Sequence, residues 1–113
     1  MNKNEQYDIK NLFCPKCNIL EDTATVNTRE SSTLVIVKSH SGPLNFQGYE
    51  FYSIICFKCK NITLIAIDPK NEKFFRFVEI NKATELDIST AKMTTRALGD
   101  TKTNERLDKF FDI

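Results

Sequence analysis

Tyr52-Ser53-Ile54-Ile55-Cys56-Phe57-Lys58-Cys59-Lys60-Asn61-Ile62-Thr63-Leu64-Ile65 sets a Cys-x-x-Cys pair between two runs rich in β-branched residues. Such runs favour strands. A two-residue spacer lets a tight turn aim both sulfurs at one point while its backbone N–H groups face them. The stretch therefore reads as a β-hairpin whose tip is a metal half-site. Upstream, Leu12-Phe13-Cys14-Pro15-Lys16-Cys17 repeats the pattern, with Thr23 to Val26 as the expected returning strand. Each turn needs a residue tolerant of positive φ just behind it. Asn18 and Asn61 stand there, and Asn is among the few non-glycine residues that enter that region readily.

The two pairs account for all four cysteines of a 113-residue chain. Four thiolates, Cys14, Cys17, Cys56 and Cys59, complete a tetrahedron around one ion and leave no open position for water, so such a site supports structure and does not polarise a substrate. The length suits one domain, residues 1–113, and a domain of this size gains from a metal constraint because its own core is small. The N-terminus is polar, with no apolar leader and no run long enough to cross a bilayer, which predicts a cytoplasmic protein without membrane contact. In that reducing setting paired cysteines are read as ligands in preference to disulfides. Abundant Lys, Asn, Ile and Phe suggest a bacterial or phage source.

With its two half-sites and flanking strands, the stretch from about residue 12 to 67 resembles the zinc ribbon superfamily. In that family, two cysteine turns from two β-hairpins clamp zinc beside a small antiparallel sheet. The resemblance implies Zn2+ on Cys14, Cys17, Cys56 and Cys59 and a sheet-based fold, without fixing function. Rubredoxin-like iron sites share the paired motif and are the alternative metal. A thioredoxin-like redox pair would need a helix following the second cysteine pair, and none is suggested.

Outward from the cysteines, strands are expected at 23–29, 33–39, 48–55, 61–67 and 73–80. Ser41-Gly42-Pro43-Leu44-Asn45 forms a loop, and Asp68-Pro69-Lys70-Asn71 a type I turn. Connections this short require antiparallel pairing, and a meander is the simplest topology. The segment from about 84 changes to a helical rhythm, in which Leu86, Thr90, Met93 and Ala97 share a face and Gly99 sits at the C-terminal cap position, with Asp87 as a cap if the helix starts later. A second short helix from Thr103 presents Leu107, Phe110 and Phe111 together, most simply for docking on the sheet. The fold class is α+β: a zinc-ribbon-like antiparallel sheet of about five strands with one or two C-terminal helices.

A net charge of +1, from 16 basic against 15 acidic side chains, provides no global attraction for nucleic acid or anionic membranes. Local candidates are Lys16, Lys58 and Lys60 at the cysteine turns, more simply read as offsetting thiolate charge than as a phosphate site. The strand Phe74-Phe75-Arg76-Phe77-Val78-Glu79-Ile80 is expected to place Phe74, Arg76, Val78 and Ile80 on one face and Phe75, Phe77 and Glu79 on the other. Phe75, Phe77 and Arg76 suggest base stacking or a partner surface, and so do Phe110 and Phe111 in the tail, against the plainer reading of a covered core strand. His40, the sole histidine, reads as a solvated loop residue more readily than as a fifth ligand or a general base. An acid cluster of Asp68, Glu72 and Glu79 beside Lys73 would be nuclease-like, but charged turns are commoner than catalytic ones. No nucleophile elbow, phosphate loop or paired-histidine motif is present. The expectation is a non-enzymatic zinc protein that binds and regulates another macromolecule, a protein partner first and nucleic acid second, with a homodimer open and phage–host conflict one setting.

Overall fold

The computed structural model describes residues 5–17, 20–22, 33–40 and 42–111. The strand expected at 23–29, the return at Thr23 to Val26 and the backbone of Asn18 lie outside them. The main sheet has five antiparallel strands, ordered β1 (Tyr7–Asp8), β7 (Phe74–Lys82), β6 (Asn61–Ile67), β5 (Glu50–Cys56) and β4 (Leu34–Ser39). A separate hairpin pairs β2 (Asn11–Phe13) with β3 (Leu20–Asp22). The meander expected from short connections is present from β4 to β7. The first knuckle's return begins at Leu20, ahead of the expected Thr23, because the β2–β3 register closes directly around the cysteine turn with Phe13 opposite Leu20. Strand β1 was not foreseen, since two residues carry no readable alternation.

β6 is the middle strand, which explains its almost unbroken apolar run Ile62-Thr63-Leu64-Ile65-Ala66-Ile67: both of its faces are covered. On one face Leu34, Ile54, Ile65, Ile67, Phe75 and Phe77 pack with Leu12, while Tyr7 and Phe13 of the N-terminal segment close over them. On the other face Val35, Val37 and Ile55 meet two helices, α1 (Glu85–Ala97) and α2 (Thr101–Asp108), through Ile88, Ala91, Leu107 and Phe110. Farther along that second face, Phe51, Ala66 and Val78 are capped by Phe46 from a 3-10 turn, Leu44–Phe46.

The strand alternation expected for β7 is overturned after Phe77. Leu64 pairs with Glu79 but Ile65 pairs with Phe77, so Val78 is an extra residue in a bulge. Opposed residues share a face, so Glu79 joins the helix side while Ile80, opposite Thr63, joins the face of Phe77.

Helix boundaries follow local chemistry. Thr84 and Asp87 form a capping box: the Asp87 N–H donates to Thr84 Oγ1 (3.2 Å) and the Thr84 N–H to Asp87 Oδ2 (2.9 Å), so Asp87 completes the cap of Thr84 and starts no later helix. Gly99, at φ 74°, ends α1 as expected. The Asp100 N–H reaches the Thr95 carbonyl (2.8 Å) and the Gly99 N–H the Arg96 carbonyl (3.1 Å), a Schellman closure. Asp100 then accepts from the Thr103 N–H and caps α2. The α1 face made of Leu86, Thr90, Met93 and Ala97 points to solvent, and Ile88, Ala91, Thr94 and Thr95 are the buried set. The sheet selects the face whose small Ala and Thr allow close approach. In the tail, Leu107 and Phe110 dock while Phe111 stays half-exposed.

The loop into β5 is fixed by one close approach. A Cβ at Gly42 would lie 2.2 Å from the buried Phe51 ring. Gly42→Ala is therefore expected to lower stability by about 1–3 kcal/mol through overpacking, read as a lower denaturation midpoint. An unchanged midpoint would refute this packing.

Candidate metal centre

The β5–β6 turn forms because Cys56 ends a strand and Lys60 takes φ 61°, letting its N–H return to the Cys56 carbonyl at 3.0 Å. The positive φ expected at Asn61 thus falls one residue earlier. Asn61 is instead the first residue of β6, nearly buried, and its side-chain amide donates to Cys59 Sγ at 3.3 Å. The backbone N–H groups of Lys58 and Cys59 face the Cys56 sulfur, and that of Asn61 faces Cys59, the arrangement expected of a thiolate-holding turn.

The first turn, Cys14 to Cys17, arrives from β2 and brings its sulfurs onto the second. Cys14 Sγ lies 3.4 Å from Cys59 Sγ and Cys17 Sγ 3.8 Å from Cys56 Sγ, and all four lie within 4.8 Å of one another. Metal–sulfur bonds of about 2.3 Å in a tetrahedron give sulfur–sulfur edges of about 3.8 Å. The four cysteines are positioned to hold one metal ion. Cys14 and Cys56 are buried in the same apolar cluster as Leu12, Leu34 and Ile54, so the centre is continuous with the core.

The thiols are electrostatically unequal. Burial pushes Cys56 up to about 12, against the pull of the backbone N–H groups. Cys17 is also raised, first by its hydrogen bond with Cys59 and then by burial. For Cys59 burial acts upward too, but hydrogen bonds from Cys17 and Cys14 and the Asn61 N–H outweigh it and bring the thiol down to about 7. Metal binding must displace protons from the raised thiols, so affinity falls as pH falls.

The remaining expected site residues are dispersed. Phe75, Phe77 and Phe110 are core side chains, which removes them from any partner surface. The Lys60 ammonium donates to the Phe110 carbonyl and lies over the Phe110 and Phe57 rings at 4.6 and 5.7 Å, so it ties the turn to the C-terminal segment and is no free anion site. Sequence reasoning missed Phe57, a spacer residue of the motif: it stacks edge-on against Phe110 at 5.2 Å and beneath the Arg106 guanidinium at 5.5 Å. An apolar residue in an otherwise exposed turn was the available signal. Lys16 and Lys58 are exposed. Arg76 lies opposite Ala66, itself opposite Phe51, five residues from Cys56 on β5. At about 3.3 Å per residue this is about 17 Å along the sheet, too far to form one basic stripe with the turns.

His40 follows the far end of β4, where Ser39 pairs with Phe51, while Leu34 pairs with Cys56. It is about 17 Å or more from the sulfurs by the same rise and is no fifth ligand. Asp68 accepts from the Lys70 and Asn71 N–H groups' turn, its side chain bonding Lys70 N and its carbonyl Asn71 N, both at 2.9 Å. Glu79 sits mid-strand beyond the bulge, so the acids do not converge. Among the described residues the four cysteines are the one group of three or more His, Cys, Asp or Glu side chains placed to hold a metal.

Asn61→Ala is expected to weaken metal affinity about tenfold or more by freeing the Cys59 sulfur from its amide, and the affinity of both forms should fall on acidification. Competition titration with a chromophoric chelator checks both. Equal affinity of the two forms would remove Asn61 from the site. No family model, curated protein or solved structure matches the chain, so its likeness to the zinc ribbon superfamily rests on the four sulfurs and the two hairpins that carry them.

Proposed function

We propose that the chain is a small zinc protein without catalytic activity that binds and regulates another macromolecule, in the first place a protein. The observation that carries the reading is the closed four-sulfur shell at the end of the sheet. Its turn side chains, Phe57 and Lys60, are used to hold the C-terminal segment. Zinc suits four thiolates in tetrahedral array and needs no redox partner. A metal so placed stabilises the fold, on the order of 10 kcal/mol in small zinc domains. Of the residues expected to meet a partner, Lys16, Lys58 and Phe111 are exposed and Arg76 is half-buried, and the scatter of the basic groups favours a protein over a nucleic-acid backbone. No described helix is long and apolar enough to cross a membrane.

Elemental analysis of the purified chain should find one zinc per chain, and chelation should abolish the β-sheet circular dichroism and the cooperative melt. A red, iron-containing preparation would overturn the zinc assignment, and an unchanged melt after metal removal would overturn the structural role. Affinity capture from the source cell should return a protein that a Cys56→Ser control does not. Nucleic acid alone in the eluate, or turnover lost with a non-cysteine variant, would reverse the reading.

A further inference from the structure

The helix side of the sheet is covered at its two ends and open between them. Val35, Val37 and Ile55 lie under α1 and α2, and Phe51, Ala66 and Val78 lie under Phe46. Between these clusters runs a cleft whose two lobes, about 240 and 280 Å³, share Ser53, Ile62 and Asp87. Its floor is the row Ser53, Leu64 and Glu79 across β5, β6 and β7, and α1 supplies its wall from Leu86 to Thr94. The bulge at Val78 is what brings Glu79 into it. Without the extra residue, strict alternation would turn Glu79 to the face of Phe75 and Phe77.

We infer that the cleft receives the guanidinium of an arginine side chain carried by the protein partner, an inference that rests on the regulatory reading above. Charge is the first ground. Glu79 and Asp87 both line the smaller lobe, and no basic side chain answers them. Glu79 makes no ion pair, although Arg76 stands in the next row of the same face. Lys38 turns its ammonium to the Tyr52 ring, at 4.7 Å on the opposite face of the sheet, and His40 stands exposed at the edge of the larger lobe.

Hydrogen-bonding capacity points the same way. Asp87 spends Oδ2 on the Thr84 N–H and hydroxyl, at 2.9 and 3.0 Å, and keeps Oδ1. Thr94, nearly buried in the wall, donates its hydroxyl proton to the Thr90 carbonyl at 3.2 Å, so its oxygen can only accept. A lining of acceptors suits a ligand made only of donors, and guanidinium presents five in a planar fork. Among the described residues these carboxylates belong to no group of three or more placed to hold a metal, which leaves an organic cation.

The apolar parts of the cleft favour a cation carried on a protein. Half-buried Ile62 and Leu64 give a methylene stem its surface. Leu86, 75% exposed at the mouth, meets the residues beside the arginine and would have no use for a free small cation. Lobes of this volume admit one side chain and not a helix about 10 Å across.

The test is a titration of the metal-loaded, isotope-labelled chain with Nα-acetyl-arginine amide, followed by amide chemical shifts. Saturable shifts should appear at Ser53, Leu64, Glu79 and Asp87 with a dissociation constant on the order of 1 mM, and the uncharged citrulline analogue should give none. Glu79→Gln, at an exposed position, should weaken binding at least about fivefold with an unchanged circular dichroism spectrum and melt. Shifts confined to other residues, equal shifts with the citrulline analogue, or unchanged affinity in Glu79→Gln overturn the arginine site. The source of the arginine is read on the protein returned by affinity capture, whose affinity should fall about tenfold or more for Glu79→Gln. A captured protein that binds Glu79→Gln as tightly as the wild type overturns the partner as the source, even where the arginine derivative binds. Failure to capture any protein refutes the regulatory reading, and the titration still decides the cleft.

Discussion

The convergence of four sulfurs at one corner of the sheet is the constraint on which the other parts depend. Cys56 and Cys59 sit at the tip of a local hairpin, whereas Cys14 and Cys17 arrive from a separate one. Joining them fixes the N-terminal segment over one face of the sheet, where Tyr7 and Phe13 pack on Phe75 and Phe77. The same turn reaches the opposite layer, because Phe57 and Lys60 grip the segment around Phe110. One corner therefore locks three layers: N-terminal segment, sheet and helices.

A sheet covered on both sides also decides which polar groups must be satisfied. Asn61 and Thr63 lie at buried positions of the central strand, and the Asn61 amide is matched to a sulfur in place of an oxygen acceptor. Among the described residues no buried side-chain nitrogen or oxygen lacks a partner. The helical layer meets the same demand through its caps, with Asp100 closing the start of α2 directly after the Gly99 reversal.

Much of this was legible in the sequence because it rests on local signals. The cysteine spacing, the β-branched runs of β5 and β6, the Asp68-Pro69 turn and the Gly99 stop each act within a few residues. What was not legible depends on neighbours distant in sequence. The bulge at Val78 arises from pairing with Leu64 and Ile65, and no property of Val78 itself announces it. The positive φ at Lys60 in place of Asn61 reflects the amide's second use at Cys59. The inward face of α1 was not legible because periodicity groups Leu86, Thr90, Met93 and Ala97 on one face without saying which face the sheet takes, and contact with the sheet favoured Ile88, Ala91, Thr94 and Thr95. For the candidate site, ligand identity was readable from spacing, while the burial of Phe75, Phe77 and Phe110 required the layers on either side.

The bulge in β7 also bears on solubility. Strand β1 covers β7 only at Phe74 and Phe75, so beyond them the outer edge of β7 has no strand beside it among the described residues. A long, regular edge of this kind invites another chain to add to the sheet without limit. An extra residue at Val78 breaks the even spacing of edge hydrogen-bonding groups and increases the local twist, and Glu79 and Lys82 put charge on either side of the free stretch. A shift of one residue in a ladder thus interrupts the regular template that an open sheet edge would otherwise offer.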